Sequence, residues 1–129
     1  MMKKQLCLFN IGAFGYCGIE ILARGYTHWT MGITGGICLM LLWAIYSKVN
    51  DIGIIGKSVI GAIAITAIEL CVGLVVNVWL KMGVWSYIDE PFNILGQICP
   101  VYTFYWFCLS LGIMSVLEIL HLAHMRKAK

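Results

Sequence analysis

Charged residues fall at intervals along this chain, and between them run four stretches of nearly unbroken hydrophobic character: residues 5–23, 30–46, 59–80 and 98–122. A helix rising ~1.5 Å per residue crosses a hydrocarbon core of about 30 Å in roughly 20 residues, so each stretch is of membrane-spanning length. The pattern predicts an all-α polytopic membrane protein with four transmembrane helices. In the third stretch, VIGAIAITAIELCVGLVVNVWL, Glu69 is the only charged residue. Counting inward from Val59 places its carboxyl about 15 Å deep. An ionised acid there costs at least a few kcal/mol, so a buried partner or a function must offset that cost.

The connections are short. Residues 24–29 form an outer turn that makes an antiparallel hairpin of the first two spans. The loop 47–58 carries Asn50, Asp51, Gly53 and Gly56, which is turn chemistry without a motif. The connection 81–97, KMGVWSYIDEPFNILGQ, mixes Trp85, Tyr87 and Phe92 with Asp89, Glu90, Asn93 and Gln97. That blend is expected of an amphipathic segment lying in the headgroup layer or folded over the helix ends. Pro91 breaks any helix there, and Pro100 sits near the first turn of the last span, where proline is tolerated. The start of the chain has two lysines before an apolar run, but Asn10 interrupts the run and Tyr16 precedes Cys17 with no small-x-small site. It is expected to be an uncleaved first helix.

Composition removes the soluble alternative. Of 129 residues 61% are hydrophobic and only 12% charged, against about 25% charged in a soluble domain. The spans occupy most of the chain, so residues 1–129 form one transmembrane domain. A net charge of +3 does not indicate nucleic acid, because the basic residues are dispersed at span ends rather than gathered on one face. Their placement reports topology instead. With the N-terminus cytoplasmic, Lys3, Lys4, Lys48, Lys57, Arg126, Lys127 and Lys129 lie inside, and only Arg24 and Lys81 lie outside. Both termini are therefore expected in the cytoplasm. Cys7, Cys17, Cys38, Cys71, Cys99 and Cys108 form no C-x-x-C pair and read as reduced packing residues.

Polar side chains inside the spans are the candidate chemistry. Glu69, Gly73 and Asn77 recur every four residues and line one helical stripe, suited to a polar pathway or to close helix contact. In the first case Glu69 binds a cation or a proton; in the second it joins helices while Gly73 permits approach. Glu20 and Arg24 have the i,i+4 spacing and order of a helical ion pair near the outer interface, or they form a vestibule for a charged solute. Gly32 and Gly36 make a G-x-x-x-G around Gly35, and Gly12, Gly15 and Gly18 thin one side of the first span, so tight helix packing is expected within a protomer or in a homo-oligomer. Glu118, His121 and His124 lie at the polar membrane boundary, which accounts for them without a metal. The halves have related layouts, each with a glutamate on its first helix, but no alignment supports a duplication. A G-x-x-x-x-G-K-[ST] phosphate loop is missing, and no spacing pairs His28 with a nucleophile, so no enzyme and no cofactor are expected.

Two blocks of residues together resemble a known family. The first is Glu20, Arg24, Gly25, His28, Trp29, Met31, Gly35 and Gly36 in EILARGYTHWTMGITGG. The second is Glu69, Gly73, Asn77, Trp79, Trp85, Tyr87, Pro91, Asn93, Gly96, Gln97, Ile98 and Cys99, followed by Trp106. They resemble the small membrane proteins called putative ABC-transporter type IV, or CmpB-like. The chain departs in two places: the family usually reads Trp-Asp-Tyr-Ser where this chain has Trp85, Ser86, Tyr87 and Ile88, and leucine is more usual than Pro100. The resemblance implies a multi-pass protein of the bacterial inner membrane with a transport role and no defined substrate.

Three functions follow as expectations. The leading one is a permease-like subunit with an outward-facing polar cavity lined by Glu20, Arg24, His28, Glu69, Asn77, Asn93 and Gln97, driven, if by ATP, by a separate ATPase subunit. The second is a proton-coupled exporter resembling the small multidrug resistance proteins, with Glu20 as the membrane acid. The third is a structural, assembly or holin-like protein in which Gly32, Gly36 and Gly73 serve helix packing and no solute passes.

Overall fold

Helices form where the hydrophobic spans lie, each reaching past the apolar run into flanking polar residues. The computed structural model, which describes residues 2–128, has α1 (Met2–Arg24), α2 (Trp29–Lys48), α3 (Ile54–Gly73) and α4 (Pro100–Ala128). The chain is an all-helical membrane protein, and its four long helices are apolar enough to cross a bilayer. Lys129, counted above among the inner charges, lies outside the described residues.

Local chemistry sets the helix ends. Gly25 (φ +81°) closes α1 with its amide on the Ile21 carbonyl at 2.8 Å, a left-handed stop that glycine adopts without a Cβ clash. His28 caps α2 by accepting the Thr30 amide at Nδ1, 3.2 Å. α3 begins at Ile54, ahead of the expected 59, because Lys57 bends back and donates to the Tyr46 carbonyl (3.0 Å), which keeps its charge at the helix end. The helix continues as one π-helical stretch, Leu74–Trp79. Pro100 opens α4 in the first turn, as expected, and α4 runs beyond the expected 122 to Ala128 through residues with little membrane character.

Helices α1 and α2 pair along their length, α3 pairs with α4, and α2 joins the two pairs by packing on α3 and more lightly on α4. The first seam is built on small residues. A Cβ at Gly35 would lie 2.5 Å from the Tyr16 Cβ and 2.8 Å from the Gly12 carbonyl oxygen, and one at Gly36 would lie 2.5 Å from the Phe9 ring. Gly32 is looser, 3.3 Å from the Cys17 Sγ, so Gly12, Gly35 and Gly36 make the close approach and the G-x-x-x-G spacing identifies only part of it. Between α3 and α4 the glue is polar: the Thr66 and Thr103 hydroxyls lie 3.0 Å apart.

The turn 25–28 and the segment 80–99 share one end of the bundle; the loop 49–53 and the ends of α1 and α4 share the other. Segment 80–99 folds into tight turns, with Lys81, Phe92 and Leu95 at positive φ and an antiparallel bridge between Ile94 and Ile98. Two clusters form the core. Met31, Val76, Val84 and Trp85 lie near the segment end, and Leu42, Ile45, Ile65 and Met114 toward the other. Outward-facing Phe14, Leu22 and Ile63 are largely exposed, the surface a chain presents to lipid rather than to water.

Candidate functional site

Helix α1 makes backbone contact with α2 alone among the helices. Its face toward α4 is therefore bridged only by side chains, and a cleft remains there. Tyr16 of α1 and Trp106 of α4 reach across it with ring centroids 6.0 Å apart. Two cavities meet at these rings. The inner one, about 270 Å³, is bounded by Gly12, Gly15, Thr34, Cys38, Ile65 and Glu69 among others. The outer one, about 800 Å³, is bounded by Glu20, Arg24, Trp85, Tyr87, Glu90 and Tyr102 among others. Tyr16, Ile19, Trp106 and Leu109 line both.

Glu69 is 5% exposed and lines the inner cavity. The Tyr87 hydroxyl donates to its Oε2 at 3.3 Å, a long and therefore weak bond. No cation lies within ion-pair distance, since Arg24–Glu20 is the only salt bridge among the described residues. Trp106 has a buried indole N–H with no acceptor among the described residues, a state that costs about 1–3 kcal/mol unless something in the cleft accepts it. Tyr87 lies outside the membrane spans, and burial, reinforced by the nearby Glu69 carboxyl, pushes its phenol well above the usual range. The hydroxyl therefore remains protonated and acts as a donor to Glu69.

Glu20 and Arg24 form the expected ion pair, Nη1 to Oε2 at 3.0 Å. Thr27 donates to the other carboxylate oxygen at 3.2 Å, so each oxygen of Glu20 has a partner. Arg24 also donates to the Tyr26 hydroxyl (2.7 Å) and the Val84 carbonyl (3.2 Å), which ties the end of α1 to segment 80–99. Both residues line the outer cavity.

Four other expected lining residues have different work. His28 caps α2, its Nδ1 also lying 2.7 Å from the Thr30 hydroxyl. Asn77 faces segment 80–99. Its Nδ2 donates to Gln97 Oε1 (2.8 Å), and its Oδ1 accepts the Val84 amide (2.6 Å) and the Trp85 amide (3.3 Å). Gln97 is buried, donating in turn to the Leu95 carbonyl. Asn93 closes a turn by donating to the Ile88 and Glu90 carbonyls and accepting the Gly96 amide. None of the four lines either cavity. Gly73 likewise admits no neighbouring helix. A Cβ there would lie 2.5 Å from Gln97 Oε1 and 3.0 Å from the Trp85 ring, so it makes room for the returning segment.

Besides Glu20, Arg24 and Glu69, aromatic side chains wall the cleft, and by residue type these look like interface aromatics. Tyr87 stacks on Tyr102 at 4.4 Å, and Tyr102 meets Tyr105 edge-on at 5.3 Å. One signal was available: Tyr102 and Trp106 have i,i+4 spacing, as have Tyr16 and Glu20, so each pair shares a helix face.

Comparisons with curated proteins and with solved structures give no match. A family model does match, over residues 22–129, which takes in Arg24, Glu69 and all of α2 to α4 but begins two residues after Glu20. That match covers most of the chain, which therefore belongs to the family described as Putative ABC-transporter type IV.

Proposed function

We propose that this protein is a permease-like membrane component of a transporter, with the α1–α4 cleft as its solute cavity, open to the outside of the cell. The reading takes both termini as cytoplasmic, from the distribution of lysine and arginine, so that segment 80–99 lies on the outer face of a bacterial inner membrane. One observation carries it. A buried carboxyl without a counter-charge lines a cavity whose walls are shared with a wider cavity at the segment end. An intramembrane acid in such a position marks a solute or proton route. Membership of the family supports the transport class. The protein would not itself be an enzyme, and a separate ATPase subunit would supply energy if transport is ATP-driven. Assembly as a homo-oligomer belongs to the same proposal.

The exporter reading with Glu20 as the working acid has less support, because both oxygens of Glu20 are engaged by Arg24 and Thr27. The packing reading accounts for the Gly12–Gly35 seam but not for the cleft beside it.

Cys38 lines the inner cavity, which provides a direct test. In a variant with the other five cysteines replaced by serine, Cys38 in sealed spheroplasts should react with small membrane-impermeant methanethiosulfonates added outside. An unreactive Cys38 that labels only after detergent solubilisation would refute the outward cavity.

A further inference from the structure

The walls of the cleft specify the charge of what it can hold. Of the acids that line it, Glu20 is neutralised by Arg24, while Glu69 and Glu90 have no cation within ion-pair distance. Arg24 is the only basic residue on the lining, and its guanidinium is already bonded to Glu20, Tyr26 and the Val84 carbonyl. An anionic solute would meet two unpaired acids with no free donor cation. A hard metal cation is served no better, since six or more oxygen ligands are wanted and no cluster of three or more His, Cys, Asp or Glu occurs among the described residues. Close to the carboxyl lie rings instead: Tyr87 bonded to it, with Tyr16 and Trp106 on the same cavity wall. Aromatic rings attract weakly hydrated organic cations through their quadrupole, most strongly where water is excluded. The remaining lining of the inner cavity is apolar, as an alkyl or aryl substituent requires.

We propose that the cleft between α1 and α4 binds a monovalent organic cation of the substituted-ammonium class, its charged centre held between the Glu69 carboxyl and the rings of Tyr16 and Trp106. This rests on the cavity reading above and names the solute class for it. The inner cavity, almost wholly apolar apart from Glu69, takes both the charged centre at the carboxyl and its alkyl or aryl substituent.

The test uses the full chain in lipid nanodiscs with benzyltrimethylammonium as the probe, against benzenesulfonate and the uncharged carbon isostere neopentylbenzene. The cation should bind saturably in equilibrium dialysis. Neither comparison compound should displace it at tenfold higher concentration. Glu69→Gln should weaken binding at least tenfold, and Glu118→Gln, at the other end of the bundle, should not. A second measurement needs no substitution at Glu69. In the Cys38-only protein, benzyltrimethylammonium should slow modification of Cys38 in a saturable way, and a trimethylammonium methanethiosulfonate should react at least tenfold faster than its sulfonate analogue after normalisation to free cysteine. If Cys38 is reached from outside with neither protection nor preference for the cationic reagent, the organic-cation assignment is overturned and the cavity stands. If Cys38 is not reached at all, the cavity reading fails and the assignment with it.

Discussion

Asn77→Leu should free segment 80–99 from the bundle while leaving the helices in place. The amide of Asn77 is the one side chain on the π-helical end of α3 that bonds two separate parts of the segment. Its Oδ1 receives the Val84 amide at 2.6 Å, and its Nδ2 supplies Gln97 Oε1 at 2.8 Å; the Trp85 amide at 3.3 Å is marginal and adds little. Leucine removes both strong bonds and strands two buried polar groups. A buried group left without a partner costs about 1–3 kcal/mol, so two of them destabilise the closed segment by about 3 kcal/mol after partial relaxation. That corresponds to a local opening equilibrium roughly 100-fold larger. Hydrogen exchange on protein in nanodiscs should show the Val84 and Trp85 amides exchanging about 100-fold faster. The Tyr87 amide, bonded to the Gly96 carbonyl at 2.7 Å and not touched by Asn77, should follow them because the segment opens as a unit. Asn77→Asp keeps the acceptor for Val84 and should lose only about half of the protection energy. If Tyr87 keeps its wild-type exchange rate in Asn77→Leu, the segment is not held as one body and the argument fails.

Other substitutions separate packing, capping and electrostatics. Gly35→Leu puts a side chain where a Cβ alone already meets the Tyr16 Cβ and the Gly12 carbonyl, so thermal stability in detergent should fall by about 1–3 kcal/mol or more. Gly15→Ala, where a Cβ meets nothing within 4 Å, should leave stability unchanged. His28→Ala removes the α2 cap and should cost about 0.5–2 kcal/mol without altering solute access to Cys38. Glu20→Gln should change stability by less than about 1 kcal/mol, because the Arg24 side chain is 35% exposed and retains its bonds to Tyr26 and Val84. Ser86→Asp, at a residue lining the outer cavity, should raise the preference of Cys38 for the cationic over the sulfonate reagent, measured as a ratio of labelling rates.

Span length and unbroken apolar character are sufficient to identify four helices, because a bilayer imposes both on any crossing helix. The ion pair of Glu20 with Arg24 was legible for a similar reason: it is local to one helix, and spacing alone decides it. The long-range partners of polar residues were not. Asn77, Asn93 and Gln97 look like lining residues in a one-dimensional reading, since an amide near a membrane always suggests a solute. In the fold they bond segment 80–99 to α3 and to itself, which depends on a chain reversal with Lys81, Phe92 and Leu95 at positive φ. No residue-type preference announces those three positions. Gly73 on the Glu69 stripe suits a polar pathway or a helix contact by spacing, yet Trp85 and Gln97 fill its surroundings.

The cleft itself follows from the glycines. Because Gly12, Gly35 and Gly36 let α1 approach α2 closely, α1 is drawn toward one side of the bundle and away from α4. A bundle with bulkier residues at these positions would have room for α1 to sit between α2 and α4 and fill the gap with its own side chains. Here the gap is left to Tyr16 and Trp106, whose rings meet at 6.0 Å without sealing it, and Glu69 lies directly on its wall. Small residues in membrane proteins are usually taken as a means of association. In this chain they also leave beside α1 the gap on whose wall the buried Glu69 carboxyl lies.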